Sequence, residues 1–134
     1  MKIYFSGSIR GGRQDADFYK QLIEHLKQYG TVLTEHIGYE TISHSKTDHE
    51  IHNEDMAWLK AADIVIADVT TPSLGVGYEI GRAVELGKRV VCLYRKIEGS
   101  RVSAMIRGSA ELECFQYTDI NEVPDLFALI LKTR

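Results

Sequence analysis

Apolar residues gather in five short runs, at positions 3–5, 32–33, 64–69, 90–94 and, more weakly, 114–117, each bounded by turn-forming or charged residues. Runs of this length read as buried strands. The stretches between them carry a helical period instead. Phe18, Leu22, Leu26 and Tyr29 make one apolar stripe, and Gly30 is placed to end that helix as a C-cap. A second helix, over roughly 49–62, puts Ile51, Asp55, Trp58, Leu59 and Ala62 on a single face, so an acid stands inside an apolar stripe. A third helix is predicted over about 75–86 and a last one over about 122–132.

Strand and helix therefore alternate about five times, the pattern of a parallel sheet covered on both faces and joined by right-handed crossovers. The fold expected is an α/β three-layer sandwich with a five-stranded parallel sheet, flavodoxin-like or Rossmann-like. In such sheets ligands bind beyond the carboxyl ends of the strands, at the topological switch point. That rule selects the loops after the first, third and fourth strands. No internal repeat interrupts the alternation, and the segment 36–48, rich in Ser, Thr, His and Lys, reads as a surface excursion.

Composition narrows the class. At 134 residues one domain spanning 1–134 is expected, large enough to bury a core without disulfides or metals. A net charge of −3 and an apolar fraction of 44% argue against a nucleic-acid polymer as partner and against disorder. No apolar run approaches the roughly 20 residues of a membrane span, and the first residues read as a strand rather than a signal peptide. The expectation is a soluble protein of the cytoplasm or nucleus with no membrane association. Cys92 and Cys114 fall in predicted strands without metal-like spacing and read as buried reduced thiols. No metal site is expected.

The chemistry concentrates in three places. The segment 73–79, SLGVGYE, places Gly75 and Gly77 between a predicted buried strand and a helix, with Glu79 in the first helical turn. Glycines let backbone N–H groups approach an anion, and the helix N-terminus supplies a field that favours charge on Glu79. An ionised carboxylate there suits attack on a sugar carbon; tight packing and ordinary capping suit the same pattern. The first strand leaves through Gly7, Ser8, Ile9, Arg10, Gly11, Gly12 and Arg13, a second anion-binding loop with a planar guanidinium fork. Asp55, on its apolar face, calls for a partner or a purpose. Desolvation raises a carboxyl pKa toward the range of an acid catalyst, and Glu79 with Asp55 would then form the two-carboxylate arrangement that cleaves glycosidic bonds. Tyr4, near the carboxyl end of the first strand, can orient the nucleophile, and packing explains it equally well. His36 can line a base pocket or lie solvated in a loop, Trp58 reads as core, and Ser103 offers a further hydroxyl to a phosphate.

Residues 4–13 (YFSGSIRGGR), 30–36 (GTVLTEH), 51–55 (IHNED) with Trp58 and Leu59, 72–83 (PSLGVGYEIGRA) and 102–108 (VSAMIRG) together resemble the 2′-deoxynucleoside 5′-phosphate N-hydrolases, relatives of the nucleoside 2-deoxyribosyltransferases. The resemblance implies hydrolysis of the N-glycosidic bond of a deoxynucleoside 5′-monophosphate to a free base and 2-deoxyribose 5-phosphate, without a cofactor. It implies that Glu79 attacks the anomeric carbon to give a deoxyribosyl-enzyme intermediate, that Asp55 protonates or hydrogen-bonds the departing base, and that Tyr4 orients Glu79. Substrate contacts carried over by motif are Gly7, Ile9, Arg10, Gly11, Ser73 and Gly75, with Ser8 adjacent. It further implies a homodimer in which Ser103 reaches the neighbouring subunit's phosphate and Met105 approaches the same site. The preferred base, a hydroxymethylated pyrimidine among the candidates, depends on pocket shape. Hydrolysis of a CMP-type ribonucleotide, deoxyribosyl transfer between bases, and nucleotide binding without turnover are the competing readings.

Overall fold

The computed structural model describes residues 1–8, 15–38 and 45–132. Its core is a sheet of five parallel strands, β1 (Lys2–Ser6), β2 (Thr31–Val32), β3 (Ile64–Asp68), β4 (Arg89–Arg95) and β5 (Glu113–Tyr117), in the order β2-β1-β3-β4-β5. The chain leaves β1 toward β2 on one side and returns to β3 on the other. The switch point therefore lies between β1 and β3. All five residues of β3 are buried, as a central strand of a doubly covered sheet requires.

Alternation along the strands sorts their side chains into two cores. Ile3, Phe5, Ile64, Ile66, Val91 and Leu93 face α1 (Ala16–Leu26) and α5 (Val123–Lys132). Tyr4, Val65, Ala67, Val90 and Cys92 face α2 (Asp48–Ala61) and α3 (Leu74–Glu85). A short helix, α4 (Ala104–Arg107), precedes β5. At the sheet's edge Arg89 grips Glu113 through two bonds of 2.6 and 2.8 Å, joining the starts of β4 and β5. Among the described residues no helix is long and apolar enough to cross a membrane. The cysteines are free and face each other in register across β4 and β5, with Cys92 buried and Cys114 half-buried.

Local signals account for the helix ends, in two places differently from the sequence expectation. The buried stripe of α1 is Tyr19, Leu22, Ile23 and Leu26, whereas Phe18 stands at its border with the Arg95 guanidinium 3.8 Å from its ring centre. The helix stops at Leu26, and Gly30 is not its C-cap. A Cβ on Gly30 would lie 2.1 Å from the carbonyl oxygen of Met1, so this glycine serves the close approach that lets Thr31 N–H reach the same oxygen at 2.9 Å. Helix α2 opens with a reciprocal capping box between Thr47 and Glu50. Ser73 caps α3, accepting the Val76 N–H at 3.3 Å, and Gly87, at φ 76°, closes it in a Schellman turn with Lys88 N–H bonded to Ala83 O.

Candidate active site

The carboxyl end of β1 brings Tyr4 and Ser6 to one face, since side chains two apart on a strand point the same way. Across the switch point α3 lays Glu79 against both. The Tyr4 hydroxyl donates to Glu79 Oε2, and the Ser6 hydroxyl donates to Oε1 at 2.7 Å. Ser6 was not singled out by sequence reasoning. Its signal was available: it stands two residues after Tyr4, on the same face.

Glu79 is the sixth residue of α3, not part of its first turn, because α3 begins at Leu74 and carries Gly75 and Gly77 inside the helix rather than in a loop. The helix field fades within the first turn, so it does not set the charge of this group. Burial pushes the Glu79 carboxyl above its ordinary range, and the hydroxyls of Tyr4 and Ser6 work against that by stabilising the anion. Tyr4 is fully buried, and burial, reinforced by the charges of Glu79 and Asp55, drives its phenol far upward, so it remains a protonated donor.

Asp55 projects from α2 toward the same centre. It is half-buried at the border of the apolar face, whose buried members are Met56 and Leu59. Burial first and the neighbouring Glu79 second push its carboxyl up to about 6. One turn along α2, Trp58 packs beside His36, ring centres 5.5 Å apart. Both are half-buried, and burial lowers the His36 pKa, leaving a neutral ring at pH 7.

The predicted anion loops divide. Ile9, Arg10 and Gly11 lie outside the described residues. Gly7 is a packing glycine: a Cβ there would stand 2.9 Å from the Tyr19 ring. Ser8 is buried, its N–H donates to the Tyr19 hydroxyl at 2.9 Å, and its own Oγ has no partner among the described residues. Ser73 keeps its O–H to donate after accepting from Val76, and Gly75 is open, with only Ser73 Oγ, at 3.8 Å, near the place of a Cβ. The N–H groups of Leu74 and Gly75 precede the first intrahelical bond, from Gly77 to Ser73, so this helix start can receive an anion. Ser103 caps α4 through a bond from Met105 N–H at 3.1 Å; both residues are exposed, Met105 strongly so at 82%.

A hydroxyl-clamped carboxylate at the switch point of a parallel sheet coincides with a match to the sequence profile of the nucleoside 2-deoxyribosyltransferase family, which covers residues 3–112. The chain belongs to that family. Within it, a 5-hydroxymethyl-dUMP N-hydrolase of Danio rerio is 50% identical over 126 residues, 91% of this chain and 88% of the relative. The Homo sapiens protein of the same name is 49% identical over 125 residues, 90% of this chain and 72% of the relative. The structure of a CMP N-glycosidase from Clostridium botulinum shares the fold, with a TM-score of 0.67 at 22% identity over 98% of this chain and 100% of the other. As in the expectation for a nucleoside 2-deoxyribosyltransferase-type sandwich, all five strands are parallel and helices cover both faces.

Proposed function

We propose that this protein hydrolyses the N-glycosidic bond of 2′-deoxynucleoside 5′-monophosphates, with a hydroxymethylated uracil nucleotide among its substrates. The carrying observation is one carboxylate, Glu79, held at both oxygens by buried hydroxyl donors, beside a second carboxyl, Asp55, that burial and the neighbouring Glu79 push up to about 6. Relatives about 50% identical and named for this reaction support the substrate class.

In the first step a Glu79 oxygen attacks the anomeric carbon. The bond to the base breaks, its electron pair leaves with the base nitrogen, and Asp55 donates the proton that neutralises it. Asp55, now a carboxylate, takes a proton from water as the water oxygen attacks the same carbon and frees Glu79. The products are the free base and 2-deoxyribose 5-phosphate. Tyr4 and Ser6 fix which lone pair of Glu79 faces the sugar. Ser73, Gly75 and the start of α3 hold the 5′-phosphate, together with Gly7, Ser8, Ile9, Arg10 and Gly11, and the Trp58 and His36 pair walls the base. The site is completed in a homodimer, where Ser103 reaches the neighbouring subunit's phosphate and Met105 lies close by. One domain, 1–134, carries all of this.

The test is release of free base from a panel of deoxyribonucleoside and ribonucleoside monophosphates and their unphosphorylated forms, with and without an acceptor base. Base release confined to the deoxyribonucleoside monophosphates is expected. Transfer of the sugar to the added base would replace hydrolysis with a transferase reading, and preference for ribonucleotides would move the substrate class.

A further inference from the structure

Beyond the carboxyl ends of β4 and β5 lies a cavity of about 280 Å³ that the mechanism does not use. The connection from β4 to α4 forms most of its wall, joined by Gln116 of β5 and Arg107 of α4, and neither Tyr4, Ser6, Asp55 nor Glu79 lines it. A tight turn shapes the rim: Gly99, at φ 79°, lets Ser100 N–H reach Ile97 O at 3.0 Å.

Four bases line this cavity, Arg95, Lys96, Arg101 and Arg107, against a single acid, Glu98, in a chain whose net charge is −3. Arg95 is engaged already. Its Nη2 donates to Asp15 Oδ1 at 2.5 Å, while Asp15 Oδ2 accepts the Thr71 hydroxyl. The same guanidinium also hydrogen-bonds the Tyr117 hydroxyl, which itself donates to Asp68 Oδ2 at 3.0 Å. The other three bases are exposed and have no ion-pair partner among the described residues. Arg107 is steered by the ring of Tyr94, whose centre lies 5.8 Å from its guanidinium carbon. Bases scattered over a convex surface need no ligand. Three around one concavity focus their field into it, at the end of the sheet where open parallel sheets take ligands.

We infer that this cavity is a second ligand site, for a small phosphate monoester of the sugar-phosphate class. Arg101 and Arg107 offer planar forks to the phosphate oxygens, and Lys96 adds a point charge. Glu98 and the Gln116 amide suit sugar hydroxyls, while Ile97 and Val102 cover the carbon skeleton. The volume is close to the lower bound, about 300 Å³, of pockets that hold small organic ligands. It admits a phosphorylated pentose and excludes a dinucleotide. An occupant braces the connection that ends at Ser103. The inference is independent of the reaction proposed above.

The experiment titrates the full chain with ribose 5-phosphate, inorganic phosphate and sulfate at low ionic strength, following heat, and repeats the titrations on Lys96→Gln, Arg101→Gln, Arg107→Gln, Glu98→Gln and Ser73→Ala. All the cavity positions altered are exposed, and thermal unfolding checks that each variant is folded. Ribose 5-phosphate is expected to bind more tightly than either inorganic anion, and added salt should weaken it. Arg101→Gln and Arg107→Gln should each weaken it about tenfold, the scale of a hydrogen bond to a charged group, and Lys96→Gln less. Glu98→Gln should tighten inorganic phosphate about two- to threefold, as loss of an exposed repulsive charge does, without tightening ribose 5-phosphate. Ser73→Ala, at the start of α3, should leave the Arg101-sensitive binding unchanged, which separates the cavity from the phosphate position proposed at that helix. No saturable binding at millimolar ribose 5-phosphate overturns the inference, as does binding that neither arginine variant moves. Sulfate bound as tightly as ribose 5-phosphate reduces the cavity to a general anion trap and overturns the assigned class. Binding lost equally in Ser73→Ala and Arg101→Gln makes the two positions one site and overturns it too. Failure to release base bears on the hydrolase reading alone, since the titration requires no turnover.

Discussion

At the scale of single residues, the proposed mechanism rests on how two carboxyl groups in one partly dry place divide acid and base roles. On the proposed mechanism Glu79 must be an anion to attack; burial opposes that, and the hydroxyls of Tyr4 and Ser6 offset part of the burial effect. Removing either donor, as Tyr4→Phe or Ser6→Ala, is expected to lower kcat by about 10- to 100-fold, the worth of a hydrogen bond to a charged group, while Glu79→Ala loses about 1,000-fold or more. Steady-state base release checks all three, and a Glu79→Ala protein as fast as the parent removes the nucleophile assignment. In the same proposal Asp55 is protonated when it helps the base leave. With its carboxyl at about 6, kcat should fall roughly tenfold per pH unit above that value. Because Glu79 is also raised, a second loss sets in as acid protonates it, and the two limbs belong to the coupled pair rather than to separate residues. In Asp55→Asn the alkaline limb should vanish along with most of the rate. A profile of kcat against pH in which that limb persists would take the proton-donor role away from Asp55.

At the scale of elements, glycines separate packing from function. Gly30 is held by contact, and Gly30→Ala drives a methyl into the Met1 carbonyl, which should destabilise the fold by about 1–3 kcal/mol or more as other overpacking changes do. Gly75 is the opposite case. It lies inside α3 in open space, so Gly75→Ala should stabilise the helix by about 0.5–1 kcal/mol while raising KM, because in the proposed mode of binding the added methyl meets the phosphate at the helix start. Denaturant unfolding together with KM tests the pair of signs; a stabilised protein with unchanged KM leaves Gly75 without a substrate contact. The helices and strands themselves were legible, since five apolar runs and four amphipathic stretches named nearly every element. What misled was the meaning of particular glycines. A glycine after a helix and a glycine beside a predicted loop look alike in one dimension, whether the reason is a left-handed turn, a neighbouring carbonyl or an open helical surface.

At the scale of the whole molecule, the proposed site is shared between two chains. Ser103 and Met105 are exposed, and the Ser103 hydroxyl caps its own short helix, which suits residues proposed to reach a partner's site. If so, Ser103→Ala and Glu79→Ala proteins, each impaired alone, should regain about a quarter of the parent's activity when mixed and allowed to exchange, because a random twofold dimer then contains one intact site in half of its assemblies. Mixtures no more active than their parts would place Ser103 outside any shared site. Dilution of the parent should lower its specific activity by the same logic.

The order of apolar and polar residues was enough to determine the alternating architecture, the layers and the strands whose ends carry chemistry, because those follow from local periodicity and from the need to bury both faces of a parallel sheet. It also pointed to Glu79 and Asp55, since a carboxylate on an apolar stripe or after a glycine-rich turn is conspicuous by itself, whereas the role of Tyr4 came from the family resemblance. Only the tertiary structure decided what surrounds them: that Ser6 is Glu79's second donor, that burial and hydroxyls rather than the helix field govern its charge, and that Asp15, Thr71 and Arg95 are tied together across the fold. Those facts depend on distances between segments far apart in the chain, and on how much water each group loses, quantities that local sequence does not contain.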